Sequence, residues 1–162
     1  MERRAHGWTF GEFKAAVDNY QAVRYYPITP VAKPRQTVRD KWKKRTSVLV
    51  YRAFCDECRL RGLTLPSAGF HALFLLPMPR SWSRPRRAKH YLQAHLSRPD
   101  LDNLTKALMD AVLPEDSMIW NQRATKIWAA EGGIVVADHD MGRMGRPEIE
   151  DLLMRIKYGE PE

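Results

Sequence analysis

The sequence predicts an α+β fold in which one mixed β-sheet is packed with helices. Three observations predict it. A mostly apolar run over 68–76 has the length and composition of a buried strand. Two stretches, from Thr46 to about Leu60 and from Asp100 to about Leu113, carry apolar residues at helical spacing. The inferred order, αβαβαββα, suggests a mixed α+β sandwich with one sheet. With 162 residues, 44% of them hydrophobic, the chain can bury one core without staples.

The elements follow in order. Thr9-Phe10-Gly11-Glu12 fits a capping box, and Phe10, Phe13, Val17 and Tyr20 continue at helical spacing, so a helix is expected over 9–21. Tyr25 to Val31 reads as a strand interrupted by Pro27 and Pro30, which suits an edge position. Lys33 to Arg45, including Trp42, lacks apolar periodicity and reads as a basic loop. Thr46 or Ser47 is a candidate cap for the next helix, which should stop near Gly62. After the apolar strand, stopped by Pro77 and Pro79, Arg80 to His95 reads as a second basic loop that orders on a polyanion. The helix after Asp100 comes next. Residues 118–129 and 133–136 then read as a strand pair around Glu131-Gly132-Gly133, and 148–158 as a terminal helix with Ile149, Leu152, Leu153 and Ile156 on one face.

Charge is unevenly placed. The net charge is +8, but residues 24–98 hold 17 Lys/Arg against 3 Asp/Glu, whereas 99–162 hold 7 against 13. Clustered cations are what phosphate binding requires, so a nucleic acid is the expected partner. Scattered surface lysines are the plainer alternative. The N-terminus has no apolar targeting core and no run approaches a membrane span, which points to the cytoplasm. Cys55 and Cys58 form a CxxC without the second half of a zinc site; reduced thiols one helical turn apart are favoured.

The chemistry concentrates in Arg98-Pro99-Asp100-Leu101-Asp102-Asn103-Leu104-Thr105-Lys106, continuing to Asp110 and Glu115-Asp116. Asp100 and Asp102 share a side of an extended chain, after which Leu101, Leu104 and Leu108 line one helical face and Asp102, Lys106 and Asp110 another. Carboxylates bind Mg2+, which keeps waters and takes substrate phosphate into its shell. A lysine can neutralise charge developing on phosphoryl oxygens. No serine stands in a G-x-S-x-G context and no Cys–His pair is suggested. Read structurally, acids in a first turn merely suit the helix dipole, and an i, i+4 Asp–Lys pair is an ordinary surface bridge.

The run from Arg98 through Ala111, with Glu115-Asp116-Ser117, resembles the signature of the RusA family of Holliday junction resolvases, endodeoxyribonucleases common in phages and prophages. Pro27 to Arg35 resembles the family's first strand and basic turn, and Phe70 to Pro79 its apolar strand. The resemblance spans about 25–137. It implies a RusA-like, homodimeric fold and Mg2+ (with Mn2+ as a substitute) held by Asp100, Asp102 and Asp116. Lys106 would be the catalytic lysine, and branched DNA the substrate. Arg98 and the basic segments, Lys33, Arg35, Arg84, Arg86, Arg87 and Lys89, would hold the DNA backbone. Expected domains are a helical extension (1–22), a nuclease domain (23–137) and a tail with a helix (138–162). The connection from Asp110 to Glu115 is shorter than in many relatives, which bears on where Asp116 sits.

Other residues carry weaker signals. Asp110 suits a structural or supporting role, and Glu115 either supports Asp116 or is a solvated loop acid. His90 and His95 lie close to the acids in sequence, and Trp42 and Trp82 could stack on unpaired bases or simply pack. Asp138-His139-Asp140 has no partner motif for a metal. Rival functions are cutting of forks, flaps or splayed arms, and a non-catalytic protein that binds branched DNA. An RNA-binding module is least supported, because no aromatic RNP-type strand is present.

Overall fold

A computed structural model describes residues 23–35, 45–66, 69–138 and 146–158. The expected helix over 9–21, most of the first basic loop with Trp42, and His139-Asp140 lie outside the described residues. Those described form β1 (Val23–Tyr26), α1 (Thr46–Leu60), β2 (Phe70–Pro77), α2 (Arg84–His90), α3 (Leu101–Val112), β3 (Gln122–Ala129), β4 (Gly133–Ala137) and α4 (Arg146–Tyr158). The four strands make one mixed sheet in the order β1-β4-β2-β3. β2 is parallel to β3 and antiparallel to β4, and β4 is antiparallel to β1.

β2 lies inside the sheet because both of its faces are apolar. Phe70, Ala72, Phe74 and Leu76 alternate onto one side, where Tyr51, Phe54, Cys55 and Cys58 of α1 and Leu104, Ala107 and Leu108 of α3 cover them. Leu73 and Leu75 face the other side, against Ile149, Leu152 and Leu153 of α4. The tail helix therefore shares an interior with the sheet. Each Leu or Phe buried in these layers contributes roughly 1.5–3 kcal/mol relative to exposure. Burial of the Cys58 thiol pushes its pKa up to about 12, and both cysteines are free.

Several expectations are corrected. β1 ends at Tyr26 rather than running to Val31, because Pro27 has no N–H to continue the ladder. α1 begins at Thr46, capped by neither Thr46 nor Ser47: the cap position is Arg45, whose carbonyl accepts from Val48 and Leu49. Gly62, at φ +64°, follows the helix end in the left-handed conformation expected of a terminating glycine. β3 begins only at Gln122. β3 and β4 are not a hairpin pair, since β2 lies between them. Gly132 serves a close approach there: a Cβ at Gly132 would stand 2.3 Å from Thr29 Oγ1 and 2.8 Å from Thr29 Cα. The second basic segment is not wholly a loop, because Arg84–His90 is helical. Pro85 sits in its first turn, and no residue of the helix is buried.

Candidate nuclease site

The site is built on α3 and on the segments leading into and out of it. Asp100 occupies the N-cap position with extended backbone (φ −71°, ψ 144°), and its carboxylate makes no capping bond. Leu104 and Leu108 are fully buried on the sheet, and this docking turns Asp102, Lys106 and Asp110 toward the rim of the helix. Thr105 satisfies itself locally by donating from Oγ1 to the Leu101 carbonyl at 2.9 Å.

Lys106 does not bridge to Asp102. Its ammonium lies between Asp110, at 3.1 Å, and Asp116, to which it donates a short hydrogen bond. Asp110 in turn accepts from Lys33 Nζ, and the Lys33 N–H donates to the Asn103 carbonyl at 3.1 Å. An alternating chain, Lys33–Asp110–Lys106–Asp116, thus ties the loop after β1 to α3 and to the loop after α3. Hydrogen bonds to Asp116 and then Asp110 raise the Lys106 pKa, and the bond from Lys106 holds Asp116 below the usual carboxylate range. The short connection after Asp110 brings Asp116 back beside the second turn of the helix.

Asp100 and Asp102 are exposed, and neither carboxylate has a hydrogen bond or ion pair among the described residues. The structure therefore joins Lys106 with Asp116, while Asp100 and Asp102 both stand at the head of α3. It does not gather all three acids: among the described residues no group of three His, Cys, Asp or Glu is close enough to hold a metal.

The cations expected on DNA are spread over several places. Arg98 and Arg35 are exposed, Lys33 is engaged with Asp110, and Arg84, Arg86 and Lys89 project from α2, with Arg87 half-buried. Arg86 lies 4.3 Å from the centre of the Trp82 ring. Trp82 packs on Trp128 at 4.8 Å and on His90 at 4.9 Å, which favours the packing reading of this residue over free base stacking. His95 is buried against Trp128 at 3.8 Å, and burial lowers its pKa. Glu115 is exposed.

Two features escaped the sequence reading. Met118 and Trp120, 71% and 79% exposed, flank Ile119, which packs on the core just after Asp116. Lys126 of β3 donates to the carbonyls of Ser97 (2.6 Å) and Pro99 (2.7 Å), immediately before Asp100. Neither leaves a local signal, although an exposed Trp two positions ahead of a strand is visible once the strand's start is known.

No curated protein matches the chain. The sequence pattern of the family described as Endodeoxyribonuclease RusA matches residues 27–137, more than half of the 162 residues, and spans every site residue named above. The chain belongs to the RusA family of endodeoxyribonucleases.

Proposed function

We propose that this endodeoxyribonuclease cuts four-way DNA junctions in a Mg2+-dependent reaction, working in the cytoplasm as a homodimer whose two sites nick opposed strands. The nuclease unit is 23–137, with 1–22 and 138–162 as extensions. The observation that carries the reading is that two carboxylates without a partner among the described residues, Asp100 and Asp102, stand near a lysine held a turn away by Asp110 and Asp116. A capping or bridging role would consume the carboxylates, and among the described residues neither is so engaged.

The donor set fits the ion. Mg2+ is commonly bound through one or two carboxylates, with waters and substrate phosphate completing its shell. Asp100 and Asp102 would supply those carboxylates, and Asp116 would join them by giving up Lys106. When bound, the ion neutralises phosphate charge and lowers the pKa of a coordinated water. The chain's own groups do the rest. Lys106, released from Asp116, would stabilise negative charge on the phosphoryl oxygens. The N-terminus of α3 adds its partial positive charge at the same end. Asp110 keeps Lys106 from swinging away, and Lys33 keeps Asp110 in place. The cations of α2 and Arg98 bind flanking phosphates.

Cleavage of a labelled four-way junction, compared with a fork, a flap and a linear duplex, tests the proposal. Paired symmetric nicks in the junction, abolished by EDTA, are expected. Cutting mainly of forks or flaps would retain the chemistry and reject the junction. Tight binding without cutting in Mg2+ or Mn2+ would make the chain a binding protein.

A further inference from the structure

The segment leading to Asp100 is laid along the free edge of β3. Leu92 N–H donates to the Trp128 carbonyl at 2.8 Å, Trp128 N–H to Gln93 at 2.9 Å, and His95 N–H to Lys126 at 3.1 Å. Ala94 and Ile127 form an antiparallel bridge. Packing of His95 on Trp128 secures this stretch. Past His95 the ladder ends, and Leu96, Ser97 and Arg98 are exposed. The Lys126 ammonium takes over there, donating to the Ser97 and Pro99 carbonyls. The Pro99 carbonyl belongs to the peptide unit whose nitrogen is that of Asp100. Two of the three ammonium donors are thus spent on the backbone directly ahead of the acid.

Lysines are common on edge strands, where they discourage pairing with other chains, but a solvated lysine would serve that purpose, and this one is turned back onto its own backbone. Its usefulness lies in reaching two carbonyls that no N–H of β3 reaches. We propose that Lys126 is a positioning residue for Asp100: by fixing the Ser97 and Pro99 carbonyls it sets the direction in which the Asp100 carboxylate leaves the head of α3. This rests on Asp100 being a metal ligand, as proposed above. In this role Lys126 would act through the backbone and touch neither metal nor phosphate.

The test uses the full chain, with Lys126→Met and Lys126→Arg beside the wild type. Mn2+ affinity is measured without DNA by the EPR signal of the free ion, junction affinity by anisotropy in EDTA, and cutting as a function of Mg2+. Groups that orient metal ligands typically change metal affinity by about 10- to 100-fold. Lys126→Met is therefore expected to weaken Mn2+ binding roughly ten-fold or more and to raise the Mg2+ needed for half-maximal cutting in parallel. Junction affinity should stay within about two-fold, because only one uncommitted donor remains for phosphate. Lys126→Arg, which retains donors for both carbonyls, should recover part of the loss. Unchanged Mn2+ affinity in Lys126→Met overturns the inference, as does a loss of junction affinity with metal binding intact. Should Lys126→Met not fold, Lys126→Gln is judged by the same readouts. A wild type that binds Mn2+ yet cuts no junction would reject the proposed function while leaving the Mn2+ comparison decisive for Lys126.

Discussion

Arg84 and Lys89 are the cleanest probes of DNA binding by α2. Both are exposed, and neither has a partner among the described residues. Arg86 is a poorer probe, because its contact with Trp82 is itself worth about 0.5–1 kcal/mol of stability. The perturbation is the double variant Arg84→Gln, Lys89→Gln. Each cation on a duplex phosphate contributes about 0.9 to the slope of log affinity against log salt. Losing two should lower that slope by about 1.8, so that between about 50 and 200 mM salt the wild type loses roughly 12-fold more affinity than the variant. Fluorescence anisotropy with a four-way junction, titrated at several salt concentrations in EDTA, measures the slope. Thermal stability should change by no more than about 0.5 kcal/mol, as for most surface substitutions. An unchanged slope would show that α2 does not contact phosphate and would refute its assignment as a DNA-binding helix.

Further outcomes follow from the packing and from titration. Leu104→Ala removes a fully buried side chain that seats α3 on the sheet; it should cost about 2–5 kcal/mol and lower Tm by roughly 4–20 °C, measured by calorimetry, and a loss below about 1 kcal/mol would contradict the packing. Gly132→Ala puts a methyl against Thr29 and should destabilise by about 1–3 kcal/mol, with only partial rescue by Thr29→Ala, since the Thr29 Cα and Cβ remain; full rescue would mean the hydroxyl alone is in the way. Burial, then the charge of Lys126, lowers the His95 pKa, so the native ring takes up its proton at lower pH than the unfolded ring, which does so at about pH 6.5. That contribution is complete above the unfolded value and is lost as pH falls toward the native one; Tm should therefore fall between pH 7.5 and 5 more in the wild type than in His95→Gln, and equal falls would reject the assignment.

How much of the structure is legible in the sequence depends on the range of the interactions. α1 and α3 were legible because their apolar residues repeat at the helical period and because Gly62 and Pro99 mark where one stops and the other starts. β2 was legible because seven successive residues are buried on both faces, which leaves an unbroken apolar run. α2 was missed because it buries nothing and so has no periodicity; Ser83 and Pro85 were the available start signal. Glu131-Gly132-Gly133 suggested a hairpin, but strand order is decided by which strand is apolar on both faces, and that placed β2 between β3 and β4. At the site, Asp100, Asp102, Lys106 and Asp116 lie within seventeen residues and carried a recognisable pattern. Lys33 and Lys126 act on partners 77 and 27–29 residues away, and such pairings leave no trace in local spacing.

The central claim, that the carboxylates at the head of α3 carry out metal-dependent cutting, is tested most directly by Asp102→Asn. This change keeps the size of a side chain that is exposed and has no partner among the described residues, so fold and junction binding should survive. Cutting of the four-way junction in Mg2+ should be abolished while anisotropy in EDTA reports junction affinity close to wild type. Cutting at the wild-type rate would contradict the account and remove Asp102 from the site.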